Sequence, residues 1–419
     1  MSERRTHSAR TDASWAIVSQ GVVAASSLVL QWLSLRSLGA KGLGEFAILS
    51  NGILVTGAAV HTGWIGDPIV VIDRHDPALR RVLVRLSALS LVASAVVGTL
   101  AAGVFAEVSW RDALIFGAAM AAWLLEETGR RILMARRQFA ALTLNDAVFG
   151  IVSVGVTVAV VATRRLTMGW LVGSMLLGAI GAIALAGWQL PRTERTLPWK
   201  GPTAWRPITE FSVWRAGQLT MRPLGMLLAR VAVARIVSPA ALGLMEAGRL
   251  LVAPALTAAN GFGGFSLPYF ARKRDEGSLS MRLVARFAIA SSAATALYIP
   301  LALVARGPFQ HVSNSGAISL ALVLTWCTYA VVNAGNIPTV NALTAQLLSR
   351  PVFWGRCVDT VIIVAGSAVV ALADRVWAVP LVMSAGMVVG TVIPLVRLGR
   401  AGALAGQSRA TSPSAAGLG

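Results

Sequence analysis

FSVWRAGQLTMRPLGMLLARVAVARI, residues 211–236, decides how this chain is read. The stretch has the length and apolar content of a membrane span, yet it contains Arg215, Arg222 and Arg230. A charge at bilayer depth is costly unless it faces water or a partner. Three in one span predict a polar path for an anionic cargo. The next apolar stretch adds Glu246 and Arg249, three apart and so able to pair along one helix face.

Outward from that stretch, the composition fits the same reading. Of 419 residues, 56% are hydrophobic and 13% charged, and the mean hydropathy is +0.69. Soluble domains carry about 25% charged residues, so the chain reads as an all-α polytopic membrane protein. The net charge of +19 would suit nucleic acid, but the basic residues flank or interrupt apolar spans, and no nucleic-acid partner is expected. Cys327 and Cys357 both fall in apolar segments, without a disulfide framework or metal-ligand spacing. His7, His61, His75 and His311 are scattered, and there is no P-loop and no large outer loop to hold an acceptor. No catalytic constellation, cofactor or metal is expected, and the chain does not read as an enzyme. The polar, basic opening MSERRTHSARTD precedes an apolar run too long for a signal peptide, which reads as a retained first helix.

A span takes roughly 20 residues, so the length accommodates about twelve. The first six are expected at 14–35, 44–65, 83–105, 112–129, 143–162 and 168–189. The last six are expected at 208–235, 241–268, 284–305, 317–335, 355–373 and 377–396. The division is then a terminal segment 1–13, a six-helix bundle 14–190, a basic proline-broken linker 191–207, a second bundle 208–398 and a disordered tail 399–419. One set of loops holds 23 of the 37 basic residues and the other holds 8, with 6 inside spans. The positive-inside rule therefore puts both termini and the linker in the cytoplasm, with the chain in the cytoplasmic (plasma) membrane. Trp15, Trp110, Trp170, Trp188, Trp214, Trp354 and Trp377 lie near span ends, where the interface suits them.

The halves repeat. A shift of 199 residues lays Trp15 on Trp214, Leu28 on Leu227, Arg36 on Arg235, Leu43 on Leu242 and Gly44 on Gly243. Arg137 precedes Asp146 by nine positions, as Arg350 precedes Asp359, at the start of the fifth span of each half. Six spans per half means both enter from one side, so a pseudo-two-fold along the membrane normal should relate two bundles around a central cavity.

Arg215 and Arg222 are seven apart and share a helix face, with Arg230 about a quarter turn away. Arg222 falls near mid-membrane, and Pro223 should kink or open the helix there. Arg215 and Arg230 have snorkelling to the surfaces as an alternative. For Glu246 and Arg249 a self-neutralising pair is the alternative. Glu126, Glu127, Arg130 and Arg131 form two Glu→Arg pairs at i,i+4, a clasp or gate at the end of the fourth span. Asp146 and Asp359 are expected to bind Arg137 and Arg350 or to cap helix N-termini. His61 and Asp67, in HTGWIGDPIV, are the titratable pair available for proton coupling, unless Asp67-Pro68 is an ordinary span exit.

Residues 35–47, LRSLGAKGLGEFA, resemble the first interhelical turn of polysaccharide-export flippases. Residues 127–146, ETGRRILMARRQFAALTLND, resemble their connection from fourth to fifth span, and residues 237–254, VSPAALGLMEAGRLLVAP, the turn in their second half. The family is the Wzx-like branch of the multidrug/oligosaccharidyl-lipid/polysaccharide exporter superfamily. The resemblance implies two six-helix bundles in a V. It also implies flipping of a polyprenyl-diphosphate-linked oligosaccharide to the outer leaflet for cell-surface polysaccharide synthesis, with a polysaccharide polymerase as a further partner. Such flippases often carry an aspartate in the seventh span, where this chain has arginines only, so the coupling ion stays open. On this reading Arg222 holds the diphosphate, with Arg215 and Arg249 assisting and Arg230 and Glu246 beside them. The alternatives are a drug/cation antiporter of the same superfamily and a non-transporting scaffold for an envelope-polymer synthase.

Overall fold

The structure, a computed structural model, describes residues 2–71, 76–195, 198–313, 318–346 and 349–410. It is helical, with no strand among the described residues. Nine stretches there are long and apolar enough to cross a membrane. The first, Val18–Val71, turns at Gly39 (φ 72°, ψ −171°) and so holds two passes. Helices Trp110–Ala135 and Trp205–Ile236 are also of spanning length, but their charged side chains keep them outside that criterion. Among the described residues the passes thus number twelve, at the places hydropathy assigns. Leu100, Ile151, Leu297, Val304 and Val361 stand exposed on the outer surface, as they must in a chain bathed in lipid. This is a multi-pass membrane protein.

The first span reaches Gly39 and the second ends at Val71. The third to sixth are Pro77–Phe105, Trp110–Ala135, Phe139–Ala162 and Met168–Gln189. The seventh and eighth are Trp205–Ile236 and Pro239–Asp275. The ninth is split into Met281–Ala296 and Ile299–Ser313, and the tenth and eleventh are Leu320–Ala345 and Ser349–Leu372. The twelfth begins at Val379 and continues to Ala410, beyond the end at 398 that hydropathy gives, so the start of the expected disordered tail is helical. Residues 411–419 lie outside the described residues. The end where the first span begins and the twelfth finishes is called here the terminal face; the opposite end is the apical face.

The packing repeats between halves. In the first half, the first span packs on the fifth, the third on the fourth, the fourth on the sixth and the fifth on the sixth. In the second, the seventh packs on the eleventh, the ninth on the tenth, the tenth on the twelfth and the eleventh on the twelfth. The halves meet through the first span against the eighth and the second against the seventh, which exchange under the repeat. The apical contact has the same reciprocity. A Cβ on Gly44 would lie 3.0 Å from the Gly243 nitrogen and closer still to the Pro239 carbonyl. One on Gly243 would lie 3.0 Å from Cα of Ala40 and closer to its carbonyl. Ala40 and Pro239 are themselves related by the shift of 199. Residue i touching j while j touches i is what a two-fold axis produces.

Two places depart from expectation. Helix Trp205–Ile236 runs unbroken through Pro223. The irregular backbone sits in the second span instead, where π-helical turns occupy Ile48–Leu54 and Thr62–Gly66. Such turns are frequent at functional sites.

Candidate functional site

A cavity of about 380 Å³ lies between the halves, walled by the first, second, seventh, eighth and tenth spans. Arg222, Arg230 and Arg249 line it, and no acidic side chain does among the described residues. Gln31, Asn51, Asn260, Tyr329 and Asn333 supply neutral hydrogen-bonding groups.

The carboxylates stand behind the arginines. Arg222 Nη1 donates to Asp359 Oδ2 at 2.5 Å and its Nη2 to the Tyr329 hydroxyl at 3.2 Å. Arg356, three residues before Asp359, donates to the same oxygen at 3.2 Å. Asp359 is buried, so one carboxylate serves two guanidiniums. The second group has the same composition. Glu246 is fully buried and accepts from Arg230 Nε at 2.8 Å and Arg249 Nε at 2.5 Å. Arg249 also donates to Gln31 Oε1, which accepts from the Asn51 amide at 3.0 Å. Arg230 reaches the Asn51 carbonyl at 3.4 Å. This group therefore ties the second half to the first. A charge needs a partner in the low-dielectric interior, and each carboxylate here neutralises only half of what surrounds it. Among the described residues, four guanidiniums against two carboxylates give these two groups an excess of two positive charges, and three of the guanidiniums stand at the cavity wall.

Of the five residues expected around the cargo, Arg222, Arg230 and Arg249 line the cavity together. Glu246 lies behind them, out of the lining. Arg215 does not reach it: Nε pairs with Asp67 Oδ2 at 2.6 Å towards the terminal face. Neither Arg215 nor Arg230 snorkels, because each has an inward carboxylate within reach. The expected partners of Asp359 and Asp146 are also corrected. Asp359 takes Arg222 and Arg356, while the guanidinium of Arg350 stacks 4.9 Å from the Trp214 ring centroid. Asp146 accepts from Arg130 Nε at 2.7 Å and from the Ser19 hydroxyl. Neither caps a helix. The two are equivalent in the repeat, each linking the fifth span of its half to the first.

The clasp expected at the end of the fourth span is present and larger than its sequence spacing implies. Arg130 lies 3.6 Å from Glu126 and 2.5 Å from Glu127, and Arg131 2.7 Å from Glu127. Arg131 also approaches Asp67 at 3.5 Å, so the chain of charges crosses to Arg215 in the other half. His61 and Asp67 are not a pair. The His61 ring nitrogens sit 3.0 Å from Ser90 Oγ and 2.9 Å from Thr128 Oγ1, facing an apolar recess instead.

Sequence reasoning missed Gln31, Asn51, Tyr329 and Arg356. The repeat held a signal for one of them, since Gln31 falls on Arg230 under the shift of 199. Arg356 was visible as an in-span charge three residues from Asp359.

No protein-family model matches the chain, and no curated protein sequence matches it either. Solved structures do. One is the inward-facing conformation of a multidrug resistance MATE family transporter of the MOP superfamily, at TM-score 0.73 and 13% identity, covering 95% of this chain and 99% of that one. An outward-facing structure of such a transporter gives TM-score 0.63 at 14% identity, covering 94% and 95%. A MOP superfamily transporter from Pyrococcus furiosus, described as having a binding pocket of reverse polarity that suggests a different function, gives 0.63 at 13%, covering 92% and 93%. The fold is that of the MATE transporters, over nearly the whole chain.

Proposed function

We propose that the chain is an alternating-access transporter that flips a polyprenyl-diphosphate-linked oligosaccharide from the cytoplasmic to the outer leaflet. The observation that carries this reading is the cavity lining, which among the described residues holds three arginines and no carboxylate. Guanidinium forks match phosphate oxygens bidentately, and the amides of Asn51, Asn260 and Asn333 suit sugar hydroxyls. The excess of basic residues at the terminal face supports a cytoplasmic location for both termini. An inside-negative potential then favours outward movement of the anionic headgroup, by about 2.3 kcal/mol per charge per 100 mV. A polysaccharide polymerase consuming the product would add to that pull.

A second reading, a drug/cation antiporter, is favoured by the resemblance of the whole fold to multidrug resistance transporters. The cavity charge argues against it, since a cationic drug would meet net repulsion. Proteoliposomes decide between them. The protein is expected to translocate a fluorescent polyprenyl-diphosphate sugar and to leave ethidium unmoved. Ethidium efflux without lipid translocation would replace the first reading by the second.

A further inference from the structure

Away from the central cavity, the third and fourth spans and the linker between the halves enclose another recess, of about 180 Å³. Its walls are largely apolar, built from Ile69, Leu83, Leu91, Leu125 and Ile132, with the small Ala88 among them. Towards the terminal face the wall changes to Arg80, Glu194 and Trp199. Three further guanidiniums lie beside that end without lining it. Arg85 donates to the Trp199 carbonyl and Arg81 to the Pro202 carbonyl, each at 2.7 Å. Arg80 donates to the Thr193 carbonyl, and Arg136 faces Glu194 at 3.6 Å. The other nearby carboxylate, Asp76, caps the N-terminus of the third span. Arg136 Nε is buried and donates to nothing among the described residues. Among the described residues, four guanidiniums against two carboxylates leave this rim cationic, with a donor still to be satisfied.

An apolar slot at hydrocarbon depth beneath a cationic rim fits a molecule with an acyl chain and an anionic head. We propose that the recess binds an anionic glycerophospholipid, one acyl chain between the third and fourth spans and its phosphate at the linker end, against Arg80 and in the field of the neighbouring Arg81 and Arg85. A free phosphate would leave the apolar walls uncovered, and a zwitterionic lipid gains less from the rim. The site holds the segment that joins the two halves and does not depend on what the central cavity carries.

Native mass spectrometry of the purified full chain, offered phosphatidylglycerol or phosphatidylcholine at equal concentration, tests the site. Preferential retention of phosphatidylglycerol is expected, with no competition from glycerol 3-phosphate. A basic residue near an anionic headgroup contributes about fivefold in affinity, so Arg81→Gln with Arg85→Gln should cost roughly 25-fold. Ala88→Trp, which fills the recess, should also abolish retention. Equal retention of both lipids overturns the proposal, as does an undiminished adduct in the arginine variant or displacement by glycerol 3-phosphate alone. If Ala88→Trp fails to fold, the arginine variant decides.

Discussion

Asp359 and Glu246 each serve two arginines, and this ratio separates two kinds of substitution. Removing the arginine that faces the cavity leaves the carboxylate still paired. Arg249→Ala and Arg222→Ala are therefore expected to keep their expression and thermal midpoint while losing flipping; full activity of either in proteoliposomes would remove that residue from the site. Glu246→Ala does the reverse. It strands Arg230 and Arg249 without a counter-charge, and breaking a buried pair costs about 3–5 kcal/mol, so a steep fall in thermal midpoint should accompany it. The charges themselves were legible: an arginine at mid-span declares itself by its distance from either end. Their partners were not. Asp359 lies 137 residues from Arg222 and Asp67 148 from Arg215, and helix periodicity gives the face a residue occupies, never the helix that meets that face.

Individual helices show where local sequence yields to packing. Pro223 should have opened the seventh span, yet the helix is continuous. The eleventh span supports that turn: Thr360 donates its hydroxyl to the Met221 carbonyl at 2.7 Å, and Gly225 abuts the Thr360 Cα. The π turns of the second span had only an excess of glycines, Gly52, Gly57, Gly63 and Gly66, to announce them. Glycine also sets the apical contact, where overpacking typically costs about 1–3 kcal/mol. Gly243→Ala should lower the thermal midpoint accordingly. Gly187→Ala, which would meet nothing within 4 Å, should leave it unchanged or raise it, with a gain in stability of up to about 1 kcal/mol. Equal midpoints for the two variants would mean that the apical turn yields to the added methyl.

Across the whole molecule, the halves also touch near the terminal face. A Cβ on Gly63 would sit 2.6 Å from that of Ala216, beside the Asp67–Arg215 pair. Gly63→Ala brings a methyl closer still to the Ala216 Cα, so it should keep the second and seventh spans from closing there and slow transport, where Gly187→Ala should not; unimpaired transport by Gly63→Ala would show that this contact is not needed. The twelve passes, their division in two and the register of 199 were all readable from the chain, because apolar length and a repeated turn are local signals. The closure of one half on the other was not, because it depends on side chains brought together only by folding. The reciprocal glycine contact gives the assembly a fulcrum. Helices about 30 Å long that pivot at one tip behave as callipers: a swing of only about 20° there separates the opposite tips by roughly 10 Å, a helix diameter. The close approach at residues 44 and 243 thus lies where a small change of angle is felt most at the other end of the molecule.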